Sequence, residues 1–257
     1  MSATGLDLTP LPGAQPARQR IWRQGLLETT LILRNGEQWL LALVIPIGLL
    51  VAGALVGDRF GVGLAPLVGS VLAMAVWSTA FTSTAITTGF DRRQGVLERF
   101  ASTPLGRSGL VGGKIVAVVL VTALQWAVLL AIALALGWRA APGALTTVAV
   151  LACLVLAAAA FTALALAMAG TLRAEATLGL ANLVYLAGLL LGVVVDPDAL
   201  GRPWAWLVRL LPTGALGEAL RAWSSSGGQA IGWTVPVVAV WALAGVLLAR
   251  KVFRWTA

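Results

Sequence analysis

Six apolar runs, at 39–56, 64–90, 115–136, 144–169, 177–195 and 231–249, take up about half of the 257 residues. Each is close to the ~20 residues that a helix needs to cross a hydrocarbon core of ~30 Å. The second and fourth are long enough to tilt or protrude. Only 11% of the residues are charged and 59% are hydrophobic, against roughly 25% charged in an average soluble domain. A water-soluble globule of this length cannot hide so much apolar surface, so lipid is the solvent for most of the chain. The predicted fold is all-α: a polytopic membrane protein with six transmembrane helices and an N-terminal amphipathic interfacial helix. A cytoplasmic helix follows the second span, and a short outer helical hairpin precedes the last.

Basic residues set the orientation. Of the 18 Lys and Arg, thirteen fall on one side of this arrangement, between Arg18 and Arg34, between Arg92 and Lys114, at Arg173, and from Arg250 to Arg254. Five fall on the other: Arg59, Arg139, Arg202, Arg209 and Arg221. The thirteen-residue side is predicted to be cytoplasmic and to hold both termini, as an even span count requires. The net charge of +8 therefore reads as topology plus attraction to anionic lipid, not as nucleic-acid binding.

Residues 1–17, rich in Pro, Gly and Ala, form a predicted disordered tail without the apolar core of a signal peptide. At 18–37 an amphipathic helix is expected to lie flat in the headgroup region. Its apolar side carries Ile21, Trp22, Gly25, Leu26, Thr29, Ile32 and Leu33, and its polar side Arg23, Gln24, Glu28, Thr30 and Arg34. The remaining residues, 38–257, form the membrane domain. Within it, 196–230 is too long for a turn and too interrupted by Pro203 and Pro212 for a seventh span. Two short helices broken near Pro212 fit it, either dipping into the membrane or capping its outer surface. Gly53/Gly57 and Gly188/Gly192 have the small-residue spacing that permits close helix packing.

The chemistry present is sparse. The chain has no histidine and a single cysteine, Cys153, which excludes His-ligated haem or zinc, His-dependent nucleophiles and an internal disulfide. No metal site is expected. The spans hold almost no ionisable groups, which disfavours an ion-coupled carrier. Asp196 and Asp198 flank Pro197 and read as a turn rather than a metal pair. The run from Gly109 to Lys114 looks superficially like a phosphate loop. Ser108 and Ile115 stand where that motif needs Gly and Ser or Thr, so it is rejected. The second span is rich in hydroxyls, and Trp77, Thr79, Phe81, Thr82, Ser83 and Thr84 are its candidate pathway-lining residues.

Between the second and third spans lies DRRQGVLERFASTPLGRSGLVGGK, residues 91–114. Its first part, 91–102, is predicted to form a three-turn helix with an apolar stripe of Val96, Leu97, Phe100 and Ala101. Thr103-Pro104 ends it, because a residue before proline avoids helical angles. Such a helix either rests on anionic lipid or docks a protein partner, and Glu98 with the abrupt polar break fits a protein partner better.

The same residues resemble the loop between the second and third helices of ABC-2 type export permeases, the group that includes daunorubicin-resistance-type drug exporters. The shared pattern is Arg92, Arg93, Gly95, Leu97, Glu98, Arg99, Thr103, Pro104, Leu105, Gly113 and Lys114. LLPTGALGEALRAW, 210–223, is similar to the stretch before that family's last helix. The resemblance implies a bacterial plasma-membrane permease that exports a hydrophobic or amphiphilic compound such as a drug, a lipid or a lipid-linked metabolite. It implies pairing with a second permease chain, the same or different, and with separate ATPase subunits, which would hold ATP and Mg. The chain itself would be no enzyme and bind no cofactor. Residues 91–102 would be the coupling helix, with Arg92, Arg93, Leu97, Glu98, Arg99, Phe100, Thr103 and Pro104 at the ATPase, Leu97 and Phe100 as anchors. The connecting helix would include Trp22, Arg23, Leu26 and Arg34, and the loop at 172–176 would add a smaller contact. Substrate would pass along the permease dimer interface, lined by the first, second and fifth spans. The other reading is a six-helix secondary transporter or channel not driven by ATP.

Overall fold

The computed structural model describes residues 15–139, 142–225 and 231–253, and every regular element among them is helical. Most of the N-terminal tail expected at 1–17, and Arg254, lie outside the described residues. Helix α1 (Ala17–Arg34) leads into α2 (Gly36–Val56). The second apolar run becomes one rod made of α3 (Leu64–Trp77), a π-helical stretch (Ser78–Ser83) and α4 (Thr84–Arg93). Next come α5 (Val96–Ala101), α6 (Gly106–Ala135), α7 (Ala144–Ala169) and α8 (Ala174–Gly188). After a kink come α9 (Arg202–Leu210), α10 (Pro212–Ser224) and α11 (Ile231–Val252).

Five described helices are long and apolar enough to cross a bilayer: Leu64–Arg93, Ser108–Ala135, Ala144–Ala169, Ala174–Val193 and Gly232–Val252. Helix α2 supplies the sixth apolar rod, with a shorter described apolar stretch at Ala42–Val56. Their outward faces are leucine-rich, as at Ile45 and Leu49 of α2, Leu183 and Leu186 of α8, and Leu243 and Leu247 of α11. Water would not tolerate such continuous apolar faces, but hydrocarbon does. This is a multi-pass membrane protein. Pro46 and Pro236 sit inside α2 and α11, which spanning helices accommodate where neighbours satisfy the freed carbonyls.

The bundle has two chemically distinct ends. At the basic end, Leu97 of α5 packs with Leu110 and Val111 of α6, Leu166 of α7, and Ala249 and Phe253 at the end of α11. Helix α1 packs on the start of α6 at that end, where Ile21 meets Gly112 and Gln24 meets Gly113. At the opposite end, indole N–H groups close the open carbonyls of short helices. Trp138 donates to Ser224 O at 3.0 Å and Trp241 to Leu210 O at 2.8 Å. Buried Trp77 organises the middle, stacked on Phe81 at 4.5 Å and edge-on to Phe161 at 4.6 Å.

The outer segment forms the hairpin expected from its prolines, which occupy the first turns of α9 and α10. Helix α10 is inserted into the bundle and is no surface cap. Ala215, Leu216, Ala219 and Leu220 are fully buried, and Gly69 of α3 brings its backbone against that of Leu220. Asp196 caps the preceding turn, its Oδ1 accepting from the Asp198 N–H at 3.0 Å. The kink in α8 has a cause in the same place. Gly192, at φ +99°, leaves helical geometry, and a side chain there would strike the Gly214 backbone. The glycines at 53, 57 and 188 likewise face close neighbours: Leu67, the Val62 carbonyl and the Trp77 indole.

Two expectations change. The predicted single helix at 91–102 is split. Asp91–Arg93 finish α4, Gly95 turns the chain with φ +70°, and only Val96–Ala101 form α5. Helix α6 starts at Gly106, so the segment expected as loop up to Lys114 is helix. Thr103 still closes α5, its Oγ1 donating to Phe100 O at 2.7 Å.

Candidate functional site

The basic end carries two features built from the predicted residues. The first is the surface of α5. Gly95 reverses the chain after α4, and Thr103 closes the short helix three residues past Phe100. Leu97 is fully buried and Phe100 half-buried, whereas Glu98, Arg99, Thr103 and Pro104 are exposed. Leu97 therefore anchors α5 to its own chain, correcting its expected place as a contact for a partner. Arg92 and Arg93 are also engaged by their own chain, Arg92 through half-buried bonds and Arg93 through an exposed ion pair. Arg92 donates from Nη1 to Ala169 O and Leu172 O, each at 3.2 Å. Arg93 pairs with Glu175. The two arginines thus strap the turn between α7 and α8 to the end of α4, beside an open cleft of about 450 Å³.

The second feature is a cavity of about 340 Å³ bounded by α1, the second span, α5 and α6. Its outer part holds Glu28, Asp91 and Lys114, and its inner part holds Thr79, Thr84 and Gln125. On α6 the distance from Lys114 to Gln125 is about 16 Å at 1.5 Å per residue, so the cavity reaches well into the membrane region. Lys114 Nζ lies 3.1 Å from Glu28 Oε2, and Gln24 donates to Glu28 Oε1 at 2.9 Å. The hydroxyls inside are ordered by the π-helical stretch. Thr79 donates to Gln125 Oε1 at 3.0 Å, and Thr84 Oγ1 donates to the Thr79 carbonyl five residues back at 3.1 Å. That five-residue reach matches the wider π repeat, and such bulges are frequent at functional sites.

Of the residues expected to line a pathway, Thr79, Ser83 and Thr84 border this cavity. Trp77 and Phe81 do not. They are packed in the core, with the Trp77 indole N–H donating to Tyr185 O at 3.1 Å. Thr82 is half-buried, its Oγ1 without a hydrogen-bond partner among the described residues.

Helix α1 is rotated from its expected pose. Gln24 and Gly25 are buried and Glu28 turns inward, while Trp22 and Leu26 are 49% and 43% exposed. The inward stripe of α1 therefore mixes its two sides: Gln24 and Glu28 turn to the bundle together with Ile21 and Gly25, while Trp22, Leu26 and Leu33 face outward with Arg23, Thr30 and Arg34. Lys114 supplies the reason, since a lysine buried on α6 demands an opposite charge. The glycines Gly25, Gly112 and Gly113 let the two backbones approach closely enough to make that pair. Arg23 and Arg34 are exposed.

Sequence reasoning missed Glu28, Asp91, Lys114, Gln24 and Gln125 as one site. The single acid within a basic helix was the available signal for Glu28. It also missed Arg221, which read as an outer loop charge. Arg221 is 8% exposed and its Nη1 donates to Gly192 O and Val193 O, each at 3.0 Å, while Thr213 donates to Leu191 O at 2.8 Å. These side chains satisfy the carbonyls that the α8 kink frees. Burial pushes the Arg221 pKa down, opposed by the charges of Asp196 and Glu218; a guanidinium remains protonated even so. Nearby, Arg209 joins Glu218 at 3.0 Å and Asp198 at 2.9 Å. Among the described residues, no three acidic or cysteine side chains gather as a metal site would need.

No curated protein matches the chain. The family model described as ABC-2 type transporter matches residues 21–223, a stretch that runs from α1 through α10 and takes in both the α5 surface and the cavity. The chain belongs to the ABC-2 type transporter family.

Proposed function

We propose that this chain is the permease subunit of an ATP-driven exporter, paired with a second permease chain and coupled to separate ATPase subunits that dock on α5. The observation that carries the reading is the two-sided construction of α5. Glu98 and Arg99 point outward, while Leu97 is sunk among α6, α7 and α11. A helix held this way cannot absorb a push locally and passes it to three spanning helices as a rigid body. The turn between α7 and α8, strapped to the end of α4, adds a second contact. In this reading the basic end is cytoplasmic, the chain sits in a bacterial plasma membrane with both termini inside, and ATP and Mg reside on the partner. The cargo is hydrophobic or amphiphilic, in keeping with a cavity that combines apolar walls with hydroxyls.

Co-purification from membranes tests the reading. The wild-type chain is expected to bring down a stoichiometric nucleotide-binding subunit with vanadate-sensitive ATPase activity. Glu98→Arg is expected to insert and melt normally while capturing roughly tenfold less ATPase, as reversal of an exposed docking charge should. A chain that purifies and transports without any such subunit is a carrier or channel instead.

A further inference from the structure

The cavity at the basic end has an unbalanced charge. Two carboxylates, Glu28 and Asp91, share it with one ammonium, Lys114. Glu28 is engaged by Lys114 at 3.1 Å and by Gln24 at 2.9 Å. Asp91 borders the same cavity, makes no hydrogen bond and no ion pair within 4.0 Å among the described residues, and feels the Lys114 ammonium only at longer range, offset by the Glu28 charge. A half-buried carboxylate that shares one distant ammonium with a second acid is costly unless water or a cation meets it directly. Deeper in, Val118 and Val121 of α6 and Leu31 of α1 supply apolar wall.

We propose that this cavity binds an amphiphile bearing an ammonium head, with Asp91 receiving the head and the walls of α1 and α6 receiving the tail. This deepens the exporter reading and rests on it: the site lies within one permease chain and names the chemical class that the exporter takes up from the inner leaflet. The alternatives fit less well. An anion meets a site with net negative charge. A bare metal ion lacks a third acidic or cysteine ligand among the described residues. A neutral tail leaves Asp91 without a direct contact. The mouth also borders Val96, Leu97 and Phe100 of α5, so occupancy and the docking helix share a wall.

The test uses the full chain in phosphatidylglycerol nanodiscs and two fluorescent dodecyl probes with identical tails, one ending in a primary ammonium and one in a hydroxyl. After correction for partition into lipid, the ammonium probe is expected to bind about tenfold more tightly than the hydroxyl probe, the size of one charge-assisted contact. Asp91→Asn, with an unchanged melting temperature, is expected to bring the two within about twofold of each other by the same reasoning. Val121→Phe, which fills the cavity, should weaken both. Equal binding of the two probes by the wild type, or a preference that survives Asp91→Asn, overturns the site. Adding phosphatidylethanolamine distinguishes the source of the ammonium: displacement of the probe assigns the site to an amino-lipid, and no displacement assigns it to a free amine. Because the measurement needs no ATPase, its failure leaves the docking reading intact, and loss of ATPase capture leaves the site intact.

Discussion

Lys114 closes a Gly-Gly-Lys sequence that looks built for phosphate, yet its ammonium is committed to Glu28, with side chains only 9% and 16% exposed. Helical backbone offers no cradle of free N–H groups there, and the two glycines before Lys114 serve helix packing. Removing one partner of a buried pair strands the other charge, at a cost of roughly 3–5 kcal/mol. Glu28→Ala should therefore lower stability by about 3 kcal/mol, read as a drop in melting temperature in detergent. Exchanging the two charges, Glu28→Lys with Lys114→Glu, should recover most of that loss. A swap as unstable as the single variant would assign the loss to packing. Arg221 poses a related case. Arg221→Leu leaves the Gly192 and Val193 carbonyls open, and should cost about 2–4 kcal/mol by the same melting assay.

Helices α1 and α6 show how an element's identity and its orientation have different origins. That 18–37 is helical and two-faced follows from its own residues. Which face turns inward follows from Lys114, 86 residues away, and from Gly25, where a side chain would strike Val116. Gly25→Val should pry α1 from α6 at about 1–3 kcal/mol, the usual cost of overpacking. A disulfide between Ile21→Cys and Gly112→Cys, made with Cys153→Ala, should form readily and fail when Gly25→Val is added. Helix α5 illustrates the reverse. Its stop at Thr103-Pro104 is legible in the sequence, but the break at Gly95 lies in a segment whose helical pattern continues on both sides.

Across the whole molecule, the described chain starts and ends at the basic end of the bundle, with α1 against α6 and Phe253 beside Leu97. Ser102 and Ser225 are exposed at opposite ends. In the Cys153→Ala background, Ser102→Cys should react with a membrane-impermeant maleimide only after the membrane is opened, and Ser225→Cys in intact spheroplasts. The opposite pattern inverts the topology. The bundle also separates two routes that the sequence alone merged into one pathway-lining set. Trp77 and Phe81 hold the core together, while the hydroxyls of Thr79, Ser83 and Thr84 face the cavity. A π-helical stretch shifts the register between them, which an assumed α-helical repeat cannot show.

Hydropathy, charge bias and chain breakers determined the six apolar rods, their alternating direction, the hairpin at Pro212 and the helix before Thr103-Pro104. These depend on the free energy of each segment in lipid or at its edge, which sums over neighbouring residues and can be read locally. Only the tertiary structure decided which face α1 buries, that Arg221 caps the kinked end of α8, and that Asp91 shares a cavity with Glu28 and Lys114 without a hydrogen bond or close ion pair of its own. Each of those outcomes depends on partners that lie far apart in the chain and meet only when the helices pack. In a low-dielectric interior, a buried charge or open carbonyl is expensive enough to choose the packing that satisfies it.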